Sequence, residues 1–498
     1  MVGVPGRSKG CATCRKRKKG ASLTQRHCDL QRPSCGQCIK SCLPCAGYDR
    51  QRIFINHTAA LSSKSVVITS QQCKSDPPAF QIVLPDNLTR SAYESKSLGL
   101  FWELYLPYGQ NFTSAQGQFT TGSWLRIVDS IYHREDTLKQ ALLAMSLGIV
   151  GQRHGDTWMT QQGFATHGRA LREMARAVES PERSRQDELL AAARLMALFE
   201  IIFGANDQDK FAQARSWSSH VKDELLLLQA RGPQAHTTGA AHHLFVDGRL
   251  NSIIAAIRAR KRTVLSNPEW KEIPWLAIPK TPKDALLDIM VEIPTVTENL
   301  DRIETLQTLE EKHQLADKVL QMCWTLDMQL AEWVLNMNFV ANLDLDNLGH
   351  VEETGDLAVG RLIYLYWVTC IMVTSTLRSA NGARAEPQNL PVRIDPRLYA
   401  RKIARSASYF FGPERGIWCA HASSFPIGIA LNVLTDPTNQ DENDRELIMS
   451  VFSQGEMGAT IGKFLNSMRA GYNVSQCRLR GTTAHETGGK VFFGGQSK

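Results

Sequence analysis

The chain has 498 residues, of which 43% are hydrophobic and 21% charged. That is the balance of an ordinary soluble globular protein, and the length alone allows two to three domains. The net charge of +8 is unevenly placed: residues 1–52 carry twelve Lys/Arg against Asp29 and Asp49, while the rest is close to neutral. A basic head on a neutral body excludes a uniformly charged surface and is the electrostatic footprint of a polyanion-binding module.

In chain order, residues 1–10 are polar and glycine-rich, with no apolar stretch of the kind a secretory signal needs, and read as a flexible arm. Residues 11–48 form a cysteine module. From 49 to 97 the composition shifts to Ser/Thr with Pro77-Pro78 and Pro85 and no sustained periodicity, which reads as a linker without heptads for a coiled coil. From Leu98 apolar residues recur at helical spacing, predicting helices over 135–150, 156–178, 184–203, 209–228, 240–260, 299–337, 360–377, 396–411 and 442–468. No β-alternation is long enough for a substantial sheet. The fold expected is therefore mostly α: a small N-terminal module, a linker, an all-α domain over 98–480, and a disordered tail over 481–498. The most apolar run, 362–377, is shorter than the roughly 20 residues that span a bilayer and contains Thr369, Thr374 and Ser375. It reads as a buried core helix.

The cysteine module carries the chemistry. Two CxxC pairs, Cys11-Ala-Thr-Cys14 and Cys35-Gly-Gln-Cys38, are joined by Cys28 and followed by Cys42 and Cys45. With no secretory signal, clustered cysteines point to metal rather than disulfides. A tetrahedral zinc takes four ligands, so two ions need about eight positions. Six thiolates fill eight positions if two of them bridge. Directly behind the first pair runs Arg15-Lys16-Arg17-Lys18-Lys19, a basic segment that also fits a nuclear import signal.

These residues resemble the fungal binuclear zinc-cluster DNA-binding domain. The likeness rests on Gly10-Cys11-x-x-Cys14-Arg15-x-Arg17-Lys18, Cys28-Asp29, Pro33, Cys35-x-x-Cys38 and Cys45-x-Gly47-Tyr48. It implies two zinc ions held by Cys11, Cys14, Cys28, Cys35, Cys38 and Cys45, with Cys11 and Cys35 bridging and Cys42 a spare thiol. It also implies double-stranded DNA as partner, typically CGG-type triplets, read by a short helix after the second ligand. Arg17 and Lys18 match the base-edge position and Arg15 the phosphate-contacting one. Arg and Lys suit that task because they pair with guanine O6 and N7, whereas Lys16, Lys19, Arg26 and Lys40 suit phosphates. His27, beside Cys28, reads as a basic groove residue rather than a ligand.

One spacing departs from the family. Thirteen residues separate Cys14 from Cys28 where the pattern has six. The extra Gly20-Ala-Ser-Leu-Thr-Gln25 region fits an error in the gene structure, a tolerated surface loop, or an impaired cluster. Loop length alone does not forbid the cage, since doubling a flexible loop costs only about 0.6 kcal/mol.

Catalytic motifs fail on inspection. Gly458-Ala-Thr-Ile-Gly462-Lys463-Phe464 is one residue short of a phosphate loop and has Phe464 in place of Ser/Thr; His485-Glu486 lacks a second histidine; His242-His243 are neighbours pointing to different helix faces. Cys323, Cys370 and Cys419 lie in apolar helical surroundings and read as core. The charge run Arg258-Ala-Arg260-Lys261-Arg262 reads as a solvated helix C-terminus. No enzyme is expected. The helical body resembles, more diffusely, the fungal-specific transcription factor regulatory domain, through Leu100-Phe-Trp-Glu-Leu104, the long helices, and Trp270 with Pro274-Trp275. The resemblance as a whole implies a nuclear, zinc-dependent, sequence-specific transcription factor of RNA polymerase II genes. Homodimerisation, co-regulator partners, no membrane, and a metabolic or secondary-metabolite gene cluster as target belong to the same expectation. The alternative is a helical interaction or scaffold protein whose impaired cluster does not bind DNA normally.

Overall fold

The computed structural model describes residues 11–17, 28–32, 34–46, 86–122, 124–205, 207–337, 354–412, 414–435 and 441–479. The arm at 1–10, the insertion around Gly20, the stretch 49–85 and the tail at 481–498 lie outside the described residues. Two compact units divide the chain, Met1–Ile82 and Val83–Lys498.

Among its described residues the first unit has two helices of five residues each, α1 (Ala12–Lys16) and α2 (Gly36–Lys40), both opening on a CxxC pair. The second unit is helical throughout, and no β-strand occurs among the described residues. It opens with α3 (Asp86–Tyr105), which starts inside the stretch read as linker, well ahead of Leu98. Phe101 and Tyr105 of α3 are buried.

There follow the short α4 (Ser114–Gly117), α5 (Trp124–Ile131), α6 (Asp136–His154) and α7 (Thr157–Glu179). The ends of α6 are fixed locally. Glu135 accepts from the N–H groups of Thr137 and Leu138, and Gly155 closes the helix in the left-handed region at φ 66°. Asp156 then caps α7 by accepting from Met159 N at 2.9 Å. The hairpin packs closely because a Cβ on Gly163 would sit 2.7 Å from the Gly148 nitrogen; only glycine permits that approach.

Next come α8 (Asp187–Phe203), α9 (Ala212–Arg231), α10 (Gly239–Ala259), the short α11 (Pro268–Glu272), α12 (Pro282–Met290), α13 (Ile293–Thr305) and α14 (Leu309–Asn336). The single helix expected over 299–337 is two. Thr308 and Glu311 form a reciprocal capping box that starts α14 anew. The last part comprises α15 (Thr354–Gly382), α16 (Pro396–Ser406), α17 (Gly416–Leu434), α18 (Glu442–Ser453) and α19 (Gly455–Leu479). The helix expected over 442–468 is likewise split, at Gly455 with φ 69°.

Helices α8 and α15 are buried over most of their length and run through the core. By length and composition α15 and α17 are long enough to cross a membrane, but 94% of the apolar window of α15 is buried inside this unit. Its threonines are satisfied within the helix: the hydroxyls of Thr369, Thr374 and Thr376 donate to the carbonyls four residues back, at 2.6, 2.7 and 2.8 Å.

The core is not purely apolar. Lys283 of α12, 1% exposed, donates to Asp247 of α10 at 2.8 Å and to the Thr120 carbonyl at 3.1 Å. Asp247 in turn accepts from Trp124 N at the start of α5, at 2.8 Å. Arg194 of α8 and Glu224 of α9 form a second buried pair, and Arg194 also reaches the Leu244 carbonyl at 2.6 Å. Gly248 makes room for that pair, since a Cβ there would overlap the guanidinium. The run at the end of α10 is solvated only in part: Lys261 and Arg262 are exposed, with Lys261 on Glu298 at 3.0 Å, whereas the half-buried Arg260 forks onto Asp301 of α13 at 2.7 Å twice.

Two outcomes are expected of this core. Asp247→Ala strands a buried ammonium and lowers unfolding free energy by about 3–5 kcal/mol in urea titration, while Asp247→Leu with Lys283→Met restores most of the loss. His236 is fully buried, with rings of Phe245 and Trp270 beside it. Burial, with the nearby Arg231 charge, holds it down at about 4. Below its ordinary value of about 6.5 the unfolded chain binds this proton and the folded one does not. Stability contributed by neutral His236 is therefore complete above pH 6.5 and falls by up to about 3 kcal/mol as pH drops from 6.5 to 4. In thermal melts across that range His236→Phe flattens the slope.

Candidate metal centre

The first unit is too small to make an apolar core, and sulfur fills the role. Cys11, Cys14, Cys35 and Cys38 have no exposed surface and Cys28 has 1%. The two CxxC pairs fold alike. Cys14 N donates to Cys11 Sγ at 3.3 Å, and Cys38 N donates to Cys35 Sγ at 3.4 Å. Each helix thus begins with its leading cysteine turned back over the first turn, and its second cysteine points the same way.

The sulfurs converge. Cys11 Sγ lies 3.6 Å from Cys35 Sγ and 3.7 Å from Cys38 Sγ; Cys14 Sγ lies 3.7 Å from Cys35 Sγ and 4.0 Å from Cys38 Sγ. A disulfide would need about 2.05 Å. Four thiolates around a tetrahedral zinc at about 2.3 Å would stand about 3.8 Å apart, so the spacing fits metal coordination. Two groups of four have their ligand atoms within 4.8 Å of one another: Cys11, Cys14, Cys28, Cys35, and Cys11, Cys35, Cys38, Cys45. They share Cys11 and Cys35. The N-terminal cysteine group can hold metal ions, and all six sulfurs singled out in the sequence lie in one or both sets. Cys42 is exposed, at φ 49°, and belongs to neither.

Three contacts that the sequence did not announce hold this arrangement. Asp29 accepts from Gly36 N with both carboxylate oxygens at 3.0 Å, tying the Cys28 strand of chain to the start of α2. A Cβ on Gly36 would meet that carboxylate at 2.4 Å, so a larger residue there would push the Asp29 side chain aside. Thr13 on α1 donates to the Pro44 carbonyl and accepts from Ala46 N, each at 3.0 Å, which brackets Cys45. Cys11 N donates to Cys28 Sγ at 3.4 Å.

Burial drives the Cys11 thiol up to about 12 and also raises Cys14 and Cys35. Crowded sulfurs in a dry site resist ionising without a cation, and a bound divalent ion reverses that preference. Outside the cage, Lys16 and Arg17 are exposed and Arg15 lies on α1; Arg17 N closes the turn on the Thr13 carbonyl at 3.1 Å. Lys18, Lys19, Arg26 and His27 lie outside the described residues.

The second unit brings together one further ligand set, His167 of α7, Glu200 of α8 and His220 of α9. Their Nε2 atoms lie 3.5 and 3.8 Å from Glu200 Oε1. Burial works to raise Glu200, but the two rings overcome it and hold the carboxyl down at about 2. The trio brings side chains of three helices together at one polar cluster. The other sequence candidates go elsewhere. Gly458 to Phe464 lie within α19, not in a loop, and Phe464 is buried. His242 Nδ1 lies 3.0 Å from the His236 and Pro274 carbonyls. Cys323, Cys370 and Cys419 are buried, and burial raises all three thiols.

Residues 110–256, fewer than a third of the chain, match the family model described as a fungal specific transcription factor domain. The matched stretch runs from just before α4 to the last turns of α10. It supports a transcription-regulatory role for the helical unit. An uncharacterized protein of Emericella nidulans is 24% identical over 191 residues, 38% of this chain and 39% of the relative. The chain thus matches about two fifths of that relative's length. No solved structure matches.

The shared sulfurs predict an unequal response to ligand loss. Cys28→Ser leaves one four-sulfur group complete, whereas Cys35→Ser breaks both. Metal content by plasma mass spectrometry should fall in the order wild type and Cys42→Ser, then Cys28→Ser, then Cys35→Ser.

Proposed function

We propose that this chain is a zinc-dependent, sequence-specific DNA-binding regulator of RNA polymerase II transcription, acting in the nucleus. The observation that carries the reading is the pair of four-sulfur groups joined through Cys11 and Cys35, with a basic helix rooted in the same cage. Six sulfurs in two groups of four suit two zinc ions with two bridging thiolates, and with every position filled by protein the metal is structural.

Cys11, Cys14, Cys28, Cys35, Cys38 and Cys45 would hold the ions. Bound zinc supplies the positive charge that keeps the buried thiolates ionised, so it folds the head rather than reacting. The chain's own residues do the recognition. Cys11 and Cys14 pin α1 by its inner side, and Lys16 and Arg17 stand exposed. Arg17 and Lys18 would meet base edges in the major groove, worth roughly 1–3 kcal/mol of discrimination for a good bidentate contact to guanine. Arg15, Lys16 and Lys19 would lie along phosphates, which position the helix without reading sequence. CGG-type triplets, a homodimer and helical-unit contacts with co-regulators accompany this reading through the family resemblance. This reading takes the thirteen residues between Cys14 and Cys28 to be compatible with the cage.

The test is fluorescence anisotropy of the full chain on a CGG-containing duplex and a scrambled control. Zinc-loaded protein should prefer the CGG duplex, lose binding with chelator, and weaken steeply with salt. Lys18→Ala should reduce the preference, and Lys40→Ala should weaken both duplexes alike. A zinc-loaded chain with no salt-sensitive binding to either duplex would instead support a helical scaffold with a disabled head.

A further inference from the structure

The helical unit contains a cavity of about 1420 Å³ between α5, α8, α10, α15, α17 and α19. Its size exceeds that of ordinary small-molecule sites, which run to about 1,000 Å³. Apolar side chains form much of the wall, among them Leu250, Ile371, Met372, Trp418 and Phe425. The charged part of the lining is lopsided, with seven Lys/Arg against three Asp/Glu.

Several of those cations have work already. Arg194 pairs with Glu224, and Arg260 with Asp301. Arg361 of α15 does not. It is 3% exposed, lines the cavity, and its Nε and Nη1 find no hydrogen-bond partner among the described residues. His421 of α17 lines the same cavity, with Nδ1 also unpartnered. The two are close enough that the guanidinium charge adds to burial in holding His421 at about 4, so its ring is neutral. Arg258 also lines the cavity, with Nε unpartnered and Nη1 on Ser218 Oγ at 3.0 Å.

An unpaired guanidinium in a protein interior is costly; breaking a buried ion pair commonly costs 3–5 kcal/mol, and an apolar residue of similar volume would serve packing better. Burial accordingly depresses Arg361 to about 9, against a small opposing effect of Cys419. A planar fork beside a neutral imidazole, facing apolar walls, is complementary to one planar anion carried on an apolar body. We propose that this cavity binds a small organic acid, with its carboxylate on the Arg361 guanidinium, His421 beside it, and its apolar portion against Trp418, Ile371 and Met372. A phosphate would add charge that this single free guanidinium meets poorly. The site is independent of the cysteine head, so it stands or falls separately from DNA binding.

Octanoate, octanamide and octyl phosphate titrated calorimetrically into the zinc-loaded full chain test the proposal. The expected result is saturable octanoate binding, with octanamide and octyl phosphate at least tenfold weaker. Arg361→Met should keep its melting temperature or gain, and bind octanoate no better than octanamide. If that variant does not fold, Arg361→Lys keeps the charge without the fork, and octanoate should weaken about tenfold. No octanoate binding by the wild type, equal affinity for octanoate and octanamide, a tenfold preference for octyl phosphate, or an unchanged preference in the folded Arg361 variant would each overturn it.

Discussion

The head depends on one constraint: sulfurs standing less than 4 Å apart, in a segment with too little apolar surface to fold by burial alone. Thiolates at that spacing repel, and buried thiols do not ionise. Only cations between them remove both penalties. Everything local follows from bringing the sulfurs together. The CxxC turns aim their cysteines inward, Asp29 locks the Cys28 segment to Gly36, and Thr13 brackets Cys45. On the proposed reading, binding of metal and folding of this unit are the same event. The basic residues need no packing of their own, because the helix that bears them is held by its cysteines.

The helical unit solves its problem by ordinary burial and then departs from it at chosen places. Lys283, Asp247 and Trp124 N make a closed set, in which each buried polar atom named has a partner. Arg194 and Glu224 cancel one another's charge around Gly248. Such sets join α5, α8, α9, α10 and α12 through buried polar contacts. Against that background the unpartnered Arg361 stands out, since the same chain elsewhere matches its buried charges. A regulatory unit with a charged, partly apolar hollow has the means to respond to a small molecule, and an energetic reason to do so.

Much of this was legible in the sequence. The cysteine spacings pointed to a shared metal site because ligand number and CxxC geometry are local, and the family resemblance chose Cys45 over Cys42. The apolar periodicity placed most of the helices for the same reason. What was missed depends on contacts or caps. The helix starting at Asp86 lies in a Ser/Thr-rich stretch with weak periodicity. Helix α17 escaped because it is apolar all round and contains Pro426, so neither moment nor breaker rule describes it. The break before α14 was written in Thr308-x-x-Glu311, a signal present but overlooked. The cluster Arg258 to Arg262 looked solvated because Asp301 and Glu298 are some forty residues away. Nothing local marks Arg361 as unpaired; that is a property of its neighbours in space.

Two metal ions sharing six thiolates is the central claim, and native mass spectrometry of the zinc-loaded full chain, with alkylation of accessible thiols, tests it most directly. The account predicts two zinc ions per chain, with Cys11, Cys14, Cys28, Cys35, Cys38 and Cys45 protected together and Cys42 alkylated, and all six opening together when chelator removes the metal. One zinc per chain, with two or more of those six thiols reactive in the loaded protein, would contradict it.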